Sequence, residues 1–388
     1  MNVASLSGKF AQHFNHYPQA AFFAPGRVNL MGEHTDYNQG LVLAATIDKG
    51  CYLLIALRSD QTINVVSESF PDEPRQWQSS ALIPQDNEFD WSNYLRLLNE
   101  QLTQHGAIRG MDVYIASDLP MGAGLSSSFA LLVAFAEAVN QLNQLKLSPL
   151  TIAQVCLQTK HQLSAPVAQL SEPLAIASGM AKQALLIDCR NDKIKAVALP
   201  EDLVFLIVDL KQPKGFVASA FLQRKTQCAT AANAFGLTSL RELAVEDLMA
   251  AKRTLDEVVY KRALHVVTEN ARAVKMAECL LKNDIAQVSK LLAESQRSLK
   301  EDLDVTTENI DFIARELQSV LGSEGGVHLT GGGFGGSLLV LARPAKVDLI
   351  QKKIQALFGS VSELKPSVYP VAIADGVRRL ELNATALR

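Results

Sequence analysis

The chain contains the sequence Asp-Leu-Pro-Met-Gly-Ala-Gly-Leu-Ser-Ser-Ser-Phe-Ala at positions 118–130, and the fold depends on this stretch. It follows an alternating run at 111–115 and precedes an apolar run at 131–139, a pattern that predicts a strand, a turn and a buried helix. Gly122 and Gly124 let backbone amides approach a ligand closely, and the amino end of the helix favours an anion. The stretch therefore predicts a phosphate-binding loop. Taken alone, such a stretch is more often a plain strand-to-helix connection with serine caps.

Length and charge limit the possible classes of protein. A chain of 388 residues exceeds the usual size of one hydrophobic core, so we expect two lobes, residues 1–195 and residues 196–388. A net charge of −3 does not favour nucleic acid or an anionic membrane as a partner. A small-molecule partner is therefore expected. We also expect a monomer.

The cysteines and the apolar runs indicate in which compartment the protein is expected. The five cysteines are scattered without Cys-x-x-Cys spacing, so a disulfide framework or a zinc site is not expected and a reducing cytoplasm fits best. The apolar runs have the length of strands and are too short to span a bilayer.

A second stretch, Ala-Pro-Gly-Arg-Val-Asn-Leu-Met-Gly-Glu-His-Thr-Asp-Tyr-Asn at 24–38, concentrates polar side chains. Glu33 and Asp36 can accept hydrogen bonds from neighbouring hydroxyls, and His34 offers a donor and an acceptor. Arg27 can place a fixed positive charge beside a migrating phosphoryl group. The pattern indicates a sugar-binding loop, and a solvated surface turn is its alternative.

A third stretch, Gly-Gly-Gly-Phe-Gly-Gly at 331–336, separates two strand-like runs. Its simplest interpretation is a hairpin turn. So many glycines also let the backbone touch a ligand or another loop closely.

The rest of the chain predicts alternating helices and strands. We expect separate strands at 41–47 and 51–57, a surface loop at 68–90 and an irregular segment at 164–173. We expect further strands at 183–188 and 203–208, with the lobe boundary between them, and mostly helix over 219–321.

These three stretches, in this order, resemble the GHMP small-molecule kinases. Residues 25–38 resemble the galactokinase signature, residues 119–128 the family's ATP loop, and residues 329–336 its third motif. The first is the specific one, since other members of the family lack the Gly-Glu-His-Thr-Asp-Tyr-Asn run. The resemblance implies an α+β two-lobe fold, with an N-terminal lobe like ribosomal protein S5 and a ferredoxin-like C-terminal lobe.

The resemblance also implies roles for individual residues. It places Arg27 at the transferring phosphoryl group and Ser128 at a magnesium ion, with ATP and Mg²⁺ as the cofactors. The sugar would be held by Glu33, His34, Thr35, Asp36 and the residue at 221. The ATP phosphates would be wrapped by Gly122, Ala123, Gly124, Leu125, Ser126, Ser127 and Ser128.

The chain departs from the family at several of these positions. The segment expected to be Asn-Cys-Gly-Ile-Met-Asp-Gln is Val-Ala-Gln-Leu-Ser-Glu-Pro at 167–173, so Glu172 stands where the family has its catalytic Asp. Lys160 replaces a magnesium-binding Glu, and Phe221 replaces a sugar-contacting Tyr ahead of the retained basic pair Arg224 and Lys225. Phe129 replaces a small Ala, which favours a packing change.

Three functions remain compatible with this pattern. The first is an ATP-dependent sugar kinase of the galactokinase type, phosphorylating the anomeric hydroxyl of galactose or a related sugar. The second is a catalytically impaired paralogue that binds sugar or nucleotide, and the third is a kinase for a different small alcohol. The changed base does not exclude a kinase, because general-base catalysis contributes roughly 10²- to 10⁴-fold in rate.

Overall fold

A computed structural model describes residues 1–80, 91–120, 122–163, 167–211, 217–359 and 366–382. The strands in chain order are β1 (Ala20–Met31), β2 (Leu41–Leu57), β3 (Thr62–Ser67), β4 (Phe70–Gln78), β5 (Met111–Ser117), β6 (Gln183–Asp188), β7 (Lys193–Ala198), β8 (Val204–Asp209), β9 (Gly325–Thr330), β10 (Ser337–Ala342), β11 (Ser367–Val371) and β12 (Arg378–Leu380). The helices are α1 (Val3–Phe14), α2 (Asn93–Thr103), α3 (Ser127–Asn143), α4 (Pro149–Leu163), α5 (Ser171–Ser178), α6 (Val217–Ala234), α7 (Val245–Ala250), α8 (Glu257–Leu281), α9 (Ile285–Ser298), α10 (Glu308–Leu321) and α11 (Val347–Gly359).

The first sheet has the strand order β12-β1-β2-β5-β3-β4. β6 pairs with the start of β2, and β7 pairs with β6. The pairs are antiparallel apart from β3 and β5, which run parallel. β12 lies far along the chain and pairs with β1, so the first sheet combines strands from both halves of the sequence.

The second sheet has the order β11-β8-β10-β9 and is antiparallel throughout. Counted along the chain, these strands lie in the order 4-1-3-2, with α10 ahead of β9 and α11 between β10 and β11. This is the split βαβ arrangement of a ferredoxin-like lobe. The expected α+β two-lobe fold is confirmed.

The helix after the phosphate-loop sequence is buried along most of its length. α3 packs against β1, β2, α2 and α4, and its apolar side chains belong to the main core cluster. Phe129 is one of them and is 2% exposed, so its replacement of a small residue is a packing change. Burial of α3 fixes the direction in which its amino end points.

The long strand β2 differs from the expectation of two strands. Residues 48–50, expected to separate them, stay extended, and β2 runs unbroken from Leu41 to Leu57. Its first part pairs with β6 and its second part with β5, while β1 covers most of its other edge. The Asp-Lys-Gly segment, which local propensity alone assigns to a turn, lies at an irregularity in the β1 pairing. Two hydrogen bonds between Asp48 and Ala372 and the pairing of Gly50 with Pro25 hold it extended.

Three further segments also differ from expectation. Residues 70–78, expected as loop, form the exposed edge strand β4, where prolines are tolerated because one side needs no partner; residues 81–90 of that expected loop lie outside the described residues. Residues 171–173, expected as irregular, begin α5, since Pro173 falls in its first turn. β7 was not predicted, because most of its side chains are solvent-exposed.

None of the described helices combines the length and the apolar character needed to cross a membrane.

Candidate active site

The three sequence stretches meet at one cavity of about 260 Å³. The backbone N–H of Gly331 donates to Glu33 Oε1 at 2.9 Å, and Ser337 Oγ donates to the carbonyl of Ala123 at 2.8 Å. The backbone N–H of Arg27 donates to the carbonyl of Leu125 at 3.1 Å. These bonds join segments that are about 100 to 300 positions apart in the chain. The residues singled out from the sequence that line the cavity are Arg27, Glu33, His34, Asp36, Gly122, Gly124, Leu125, Ser126, Ser127, Ser128, Glu172 and Phe221.

Two of the expected site residues are buried behind this surface. Thr35 is 0% exposed, and its hydroxyl oxygen lies 2.8 Å from the carbonyl oxygens of Gly32 and Leu41. Ala123 is 1% exposed, and its carbonyl accepts the hydrogen bond from Ser337. Their positions indicate that they brace the two loops.

The glycine turn lies directly against the phosphate loop. Gly331 has φ +92°, and a Cβ added to it would lie 3.3 Å from the carbonyl oxygen of Gly124. A larger residue would be strained in that conformation and would push the two loops apart. The turn at 331–336 is thus both the hairpin between β9 and β10 and a wall of the cavity.

Arg27 is the buried cation of the site. It lies on β1, is 5% exposed and places Nη2 3.5 Å from Glu172 Oε2. Its Nε and Nη1 have no hydrogen-bond partner among the described residues. A buried donor without a partner is costly, and because Arg27 also lines the cavity, its charge favours an anion that enters there.

Glu172 faces Arg27 from the first turn of α5. Its Oε2 accepts a hydrogen bond from Ser126 Oγ at 2.6 Å, and its side chain is 25% exposed. Ser126 has a left-handed backbone, φ +59°, and lies just before the first residue of α3. The carboxylate therefore bridges Arg27 on β1 and Ser126 in the phosphate loop.

Glu33 is buried, and its carboxyl group is mostly protonated near pH 7. Burial raises the pKa of Glu33 to about 8, and the Arg27 charge and the Gly331 N–H only partly oppose that rise. A protonated carboxyl group donates one hydrogen bond and accepts others. Glu33 can therefore donate a hydrogen bond to a ligand hydroxyl or accept one from it.

The two ring nitrogens of His34 are already engaged by the protein. Nε2 lies 3.1 Å from the carbonyl of Gly332, and Nδ1 lies 3.0 Å from the hydroxyl of Tyr37. Burial lowers the pKa of His34 to about 3, so the ring is neutral; Nε2 donates to the carbonyl and Nδ1 accepts from the phenol. The rings of His34 and Phe221 lie with their centroids 5.0 Å apart, and together they form an apolar wall of the cavity.

Asp36 lies at the end of the sugar-binding loop. Its Oδ1 accepts from the backbone N–H of Tyr37 at 2.9 Å, and its Oδ2 accepts from Ser171 Oγ at 3.2 Å. Burial raises the pKa of Asp36, the Tyr37 N–H opposes this, and the nearby Glu172 charge adds to it. Asp36 and Glu172 thus lie close enough to interact electrostatically.

A buried network under the sugar-binding loop holds it in place. Glu269 on α8 accepts hydrogen bonds from Gly32 N at 3.0 Å and Ser295 Oγ at 2.9 Å, and its Oε2 lies 2.7 Å from Arg272 Nε. Burial alone would raise the pKa of Glu269, but Arg272, His265 and the Gly32 N–H together lower it to about 2. His265 Nε2 lies 3.0 Å from the carbonyl of Glu33.

The sequence assigned no role to Glu269 or His265. Their contacts with the sugar-binding loop join positions more than 200 apart in the chain. The spacing of residues within α8 therefore did not predict these two contacts. The retained Arg224 also has a structural contact, because it donates to the carbonyls of Leu303 and Asp304.

Lys160 occupies the position at which magnesium binding was expected. Its Nζ lies 3.2 Å from Ser128 Oγ and 3.0 Å from the hydroxyl of Tyr94. Among the described residues, no group of three or more His, Cys, Asp or Glu side chains could hold a metal ion.

The geometry around Ser128 does not fit a protein-bound magnesium ion. An ion about 2.1 Å from Ser128 Oγ would lie within roughly 5 Å of the Lys160 nitrogen. At an effective dielectric constant of about 20, the two charges would repel by roughly 6 kcal/mol before any phosphate charge is counted. The expectation that Ser128 ligates magnesium is therefore not supported.

The cleft between two α+β lobes, lined by a glycine-serine loop and a buried cation, has the architecture of a small-molecule kinase of the GHMP class. Comparisons with known proteins agree with it. Residues 8–57 match the galactokinase galactose-binding signature, residues 93–169 the N-terminal domain of GHMP kinases, and residues 276–360 their C-terminal domain.

Solved structures extend the similarity over nearly the whole chain. The galactokinase of Lactococcus lactis, solved in complex with galactose, is 29% identical with a TM-score of 0.91, and the match covers 97% of this chain and 100% of that one. The mevalonate kinase of Methanococcus jannaschii is 17% identical with a TM-score of 0.66, over 92% of this chain and 98% of that one. A homoserine kinase from Cytophaga hutchinsonii is 16% identical with a TM-score of 0.60, over 93% of this chain and 97% of that one; these last two show the shared fold alone.

The chain belongs to the GHMP kinase family and, within it, to the group that carries the galactokinase signature.

Proposed function

We propose that this protein is an ATP-dependent sugar kinase that phosphorylates the anomeric hydroxyl of galactose or a closely related sugar. The observation that carries the proposal is the buried guanidinium of Arg27, whose Nε and Nη1 lack partners among the described residues. The galactokinase of Lactococcus lactis, which was solved with galactose, matches the chain from end to end. A non-catalytic paralogue is not favoured by this similarity.

The sugar would lie between the loop at 32–36 and α6. Glu33 and Asp36 offer hydrogen-bonding groups for its hydroxyls, and His34 and Phe221 offer an apolar wall. Thr35 would support this loop from below. The combination of a polar side and an aromatic side suits a sugar ring, which presents hydroxyls at its edge and C–H groups on its face.

ATP would lie along the loop at 122–128, with its phosphates at the amino end of α3. There, backbone amides and the serine hydroxyls can donate to phosphate oxygens. Magnesium, implied by the family resemblance, has no set of carboxylate ligands among the described residues. We therefore place any magnesium on the phosphates of the nucleotide and derive no step through it.

In the reaction, the anomeric oxygen forms a bond to the γ-phosphorus while the bond to the bridging oxygen of ADP breaks. Arg27 would neutralise charge on the transferring phosphoryl group. Glu172 would take the proton of the sugar hydroxyl, because its carboxylate adjoins both Arg27 and the phosphate loop. Positioning and charge stabilisation supply most of the rate in such reactions.

The remaining parts of the proposal concern organisation and location. We propose that the lobes divide near residue 195, with β12 returning to the first lobe. We also propose a cytoplasmic location, supported by five cysteines that form no disulfide bond. We further propose a monomer. Sedimentation at several protein concentrations tests the monomer.

Release of ADP in the presence of ATP and a panel of sugars tests the kinase. We expect the highest kcat/KM with galactose and a fall of about 10³-fold or more in Arg27→Met, the range seen when a transition-state arginine is removed. Arg190→Met, which removes an exposed arginine, is the matched control and should keep full activity. Thermal unfolding of both variants separates lost catalysis from lost folding. Absence of sugar-dependent ADP release from the wild-type protein would overturn the proposal.

A further inference from the structure

Lys160 extends from the last turn of α4 to the amino end of α3. Its ammonium nitrogen lies within hydrogen-bond distance of Ser128 Oγ, at 3.2 Å, and of the Tyr94 hydroxyl, at 3.0 Å. The same nitrogen lies 4.4 Å from the centre of the Tyr94 ring, close enough for a cation–π contact. Contacts from two other helices therefore fix this charge beside a hydroxyl that lines the cavity.

The phosphate loop is thus flanked by two cations. Lys160 stands at Ser128 on one side, and the guanidinium of Arg27 lies in the cavity wall with buried nitrogens that lack partners among the described residues. The amino end of α3, between them, adds unpaired backbone N–H groups and the positive end of the helix dipole. An anion with several oxygens, such as a polyphosphate, complements this arrangement.

We propose that Lys160 is a phosphate-binding residue, and that its ammonium group takes the place of a protein-bound divalent cation in holding the polyphosphate of the nucleotide. This inference rests on the proposed function, since it assumes that the loop at 122–128 binds ATP. It goes further, because it makes binding of the nucleotide independent of a divalent metal ion.

The hydrogen bonds around Ser128 support this assignment. An ammonium group only donates, so Ser128 Oγ accepts from Lys160 and its own proton is directed elsewhere. That proton can be donated to a phosphate oxygen, whereas a metal ion would compete with the ammonium for the oxygen lone pairs. Lys160 and Ser128 would then act together, one as a charge and the other as a directed donor.

Titration calorimetry with ATP, in excess EDTA and in excess MgCl₂, tests the proposal on the full-length protein. We expect the wild-type Kd to agree within about threefold between the two conditions. Lys160→Met should weaken binding in EDTA by about tenfold or more, the scale of a lost hydrogen bond between charged groups. Lys160→Arg keeps the charge and should recover most of the affinity. Lys290→Met, which removes an exposed lysine on α9, is the matched control and should bind as the wild type does.

The outcomes separate this inference from the proposed function. Tight binding of ATP only with magnesium, or unchanged binding by a folded Lys160→Met variant, would overturn the role of Lys160 and leave the kinase standing. Failure of ATP to bind under either condition would overturn the nucleotide site itself, and the kinase with it. Far-ultraviolet circular dichroism of each variant establishes that it is folded.

Discussion

At the scale of single residues, burial sets the chemistry of the sugar-binding loop. Glu33 and His34 are 4% exposed, and burial favours the uncharged form of each. Arg27 stays charged beside them, as a guanidinium does in any protein environment. At these two positions the loop therefore places uncharged groups beside the cation Arg27, and this arrangement distinguishes it from a solvated charged turn.

The raised pKa of Glu33 predicts a dependence of stability on pH. The folded protein keeps this carboxyl protonated up to about pH 8, whereas the unfolded chain ionises it at its ordinary pKa near 4.5. The contribution of protonated Glu33 to the free energy of unfolding is therefore complete below the pKa that this group has in the unfolded chain. It is lost as the pH rises through about 8. Glu33→Gln, which cannot ionise, supplies the reference.

Urea unfolding of both proteins from about pH 5 to about pH 9 measures this contribution. The free energy of unfolding of the wild type, minus that of Glu33→Gln, should fall by an amount on the order of 4 kcal/mol as the pH rises. A difference that stays constant over this range would show that Glu33 has an ordinary pKa.

Phe221 predicts a gain of activity on substitution. Its ring lies against His34 and Tyr37 in the cavity wall, where the family has a tyrosine. Phe221→Tyr adds a hydroxyl that can bond to the sugar, so we expect kcat/KM for galactose to rise about fivefold, the equivalent of roughly 1 kcal/mol. Phe235→Tyr adds the same hydroxyl just beyond the end of α6 and should have no effect. An equal kcat/KM for Phe221→Tyr and the wild type would mean that this hydroxyl does not reach the sugar.

At the scale of elements, the site depends on helices that lie outside the three motifs. α8 supports the sugar-binding loop through Glu269 and His265, and α5 supplies Glu172. α4 brings Lys160 to the amino end of α3. The motifs supply the surface of the cavity, and these helices fix its shape and charge.

Glu269→Gln tests the support given by α8. The substitution leaves Arg272 without its buried carboxylate partner, and breaking such a pair costs about 3–5 kcal/mol. We expect a loss of this size in the free energy of unfolding, together with a raised KM for the sugar.

The same helix provides the control for that experiment. Glu278 pairs with Lys275 at 3.1 Å on the exposed surface of α8. Glu278→Gln should cost less than about 1 kcal/mol, because exposed ion pairs contribute little. Equal losses in the two variants would contradict the assignment of Glu269 as the support of the loop.

Features encoded by neighbouring residues could be predicted from the sequence, whereas contacts between distant segments could not. The turn at 331–336, the amino end of α3 and the polar loop at 32–36 were predicted, because each is encoded by neighbouring residues. The contacts of Glu269 and of Lys160 were not, since they join segments that only the tertiary fold brings together. The unbroken β2 and the edge strand β4 were missed for a similar reason, because pairing with neighbouring strands overrides local turn signals.

At the scale of the whole molecule, the two lobes share one active-site cleft. The carboxylate of Glu33, next to β1, binds the backbone of Gly331 in the second lobe, and Thr330 Oγ1 lies within hydrogen-bond distance of both backbone groups of Asn29. These bonds cross between the lobes beside the cavity. A sugar at the loop 32–36 and a nucleotide at the loop 122–128 would both lie beside these hydrogen bonds, in the same cavity.

The central claim is that this shared cleft transfers a phosphoryl group from ATP to the anomeric oxygen of galactose. Phosphorus-31 magnetic resonance of wild-type protein with ATP and galactose measures it most directly. The account predicts a sugar 1-phosphate signal that grows as the γ-phosphate signal of ATP falls, and no such growth with Arg27→Met. Stable ATP signals in the presence of folded wild-type protein and galactose would contradict it.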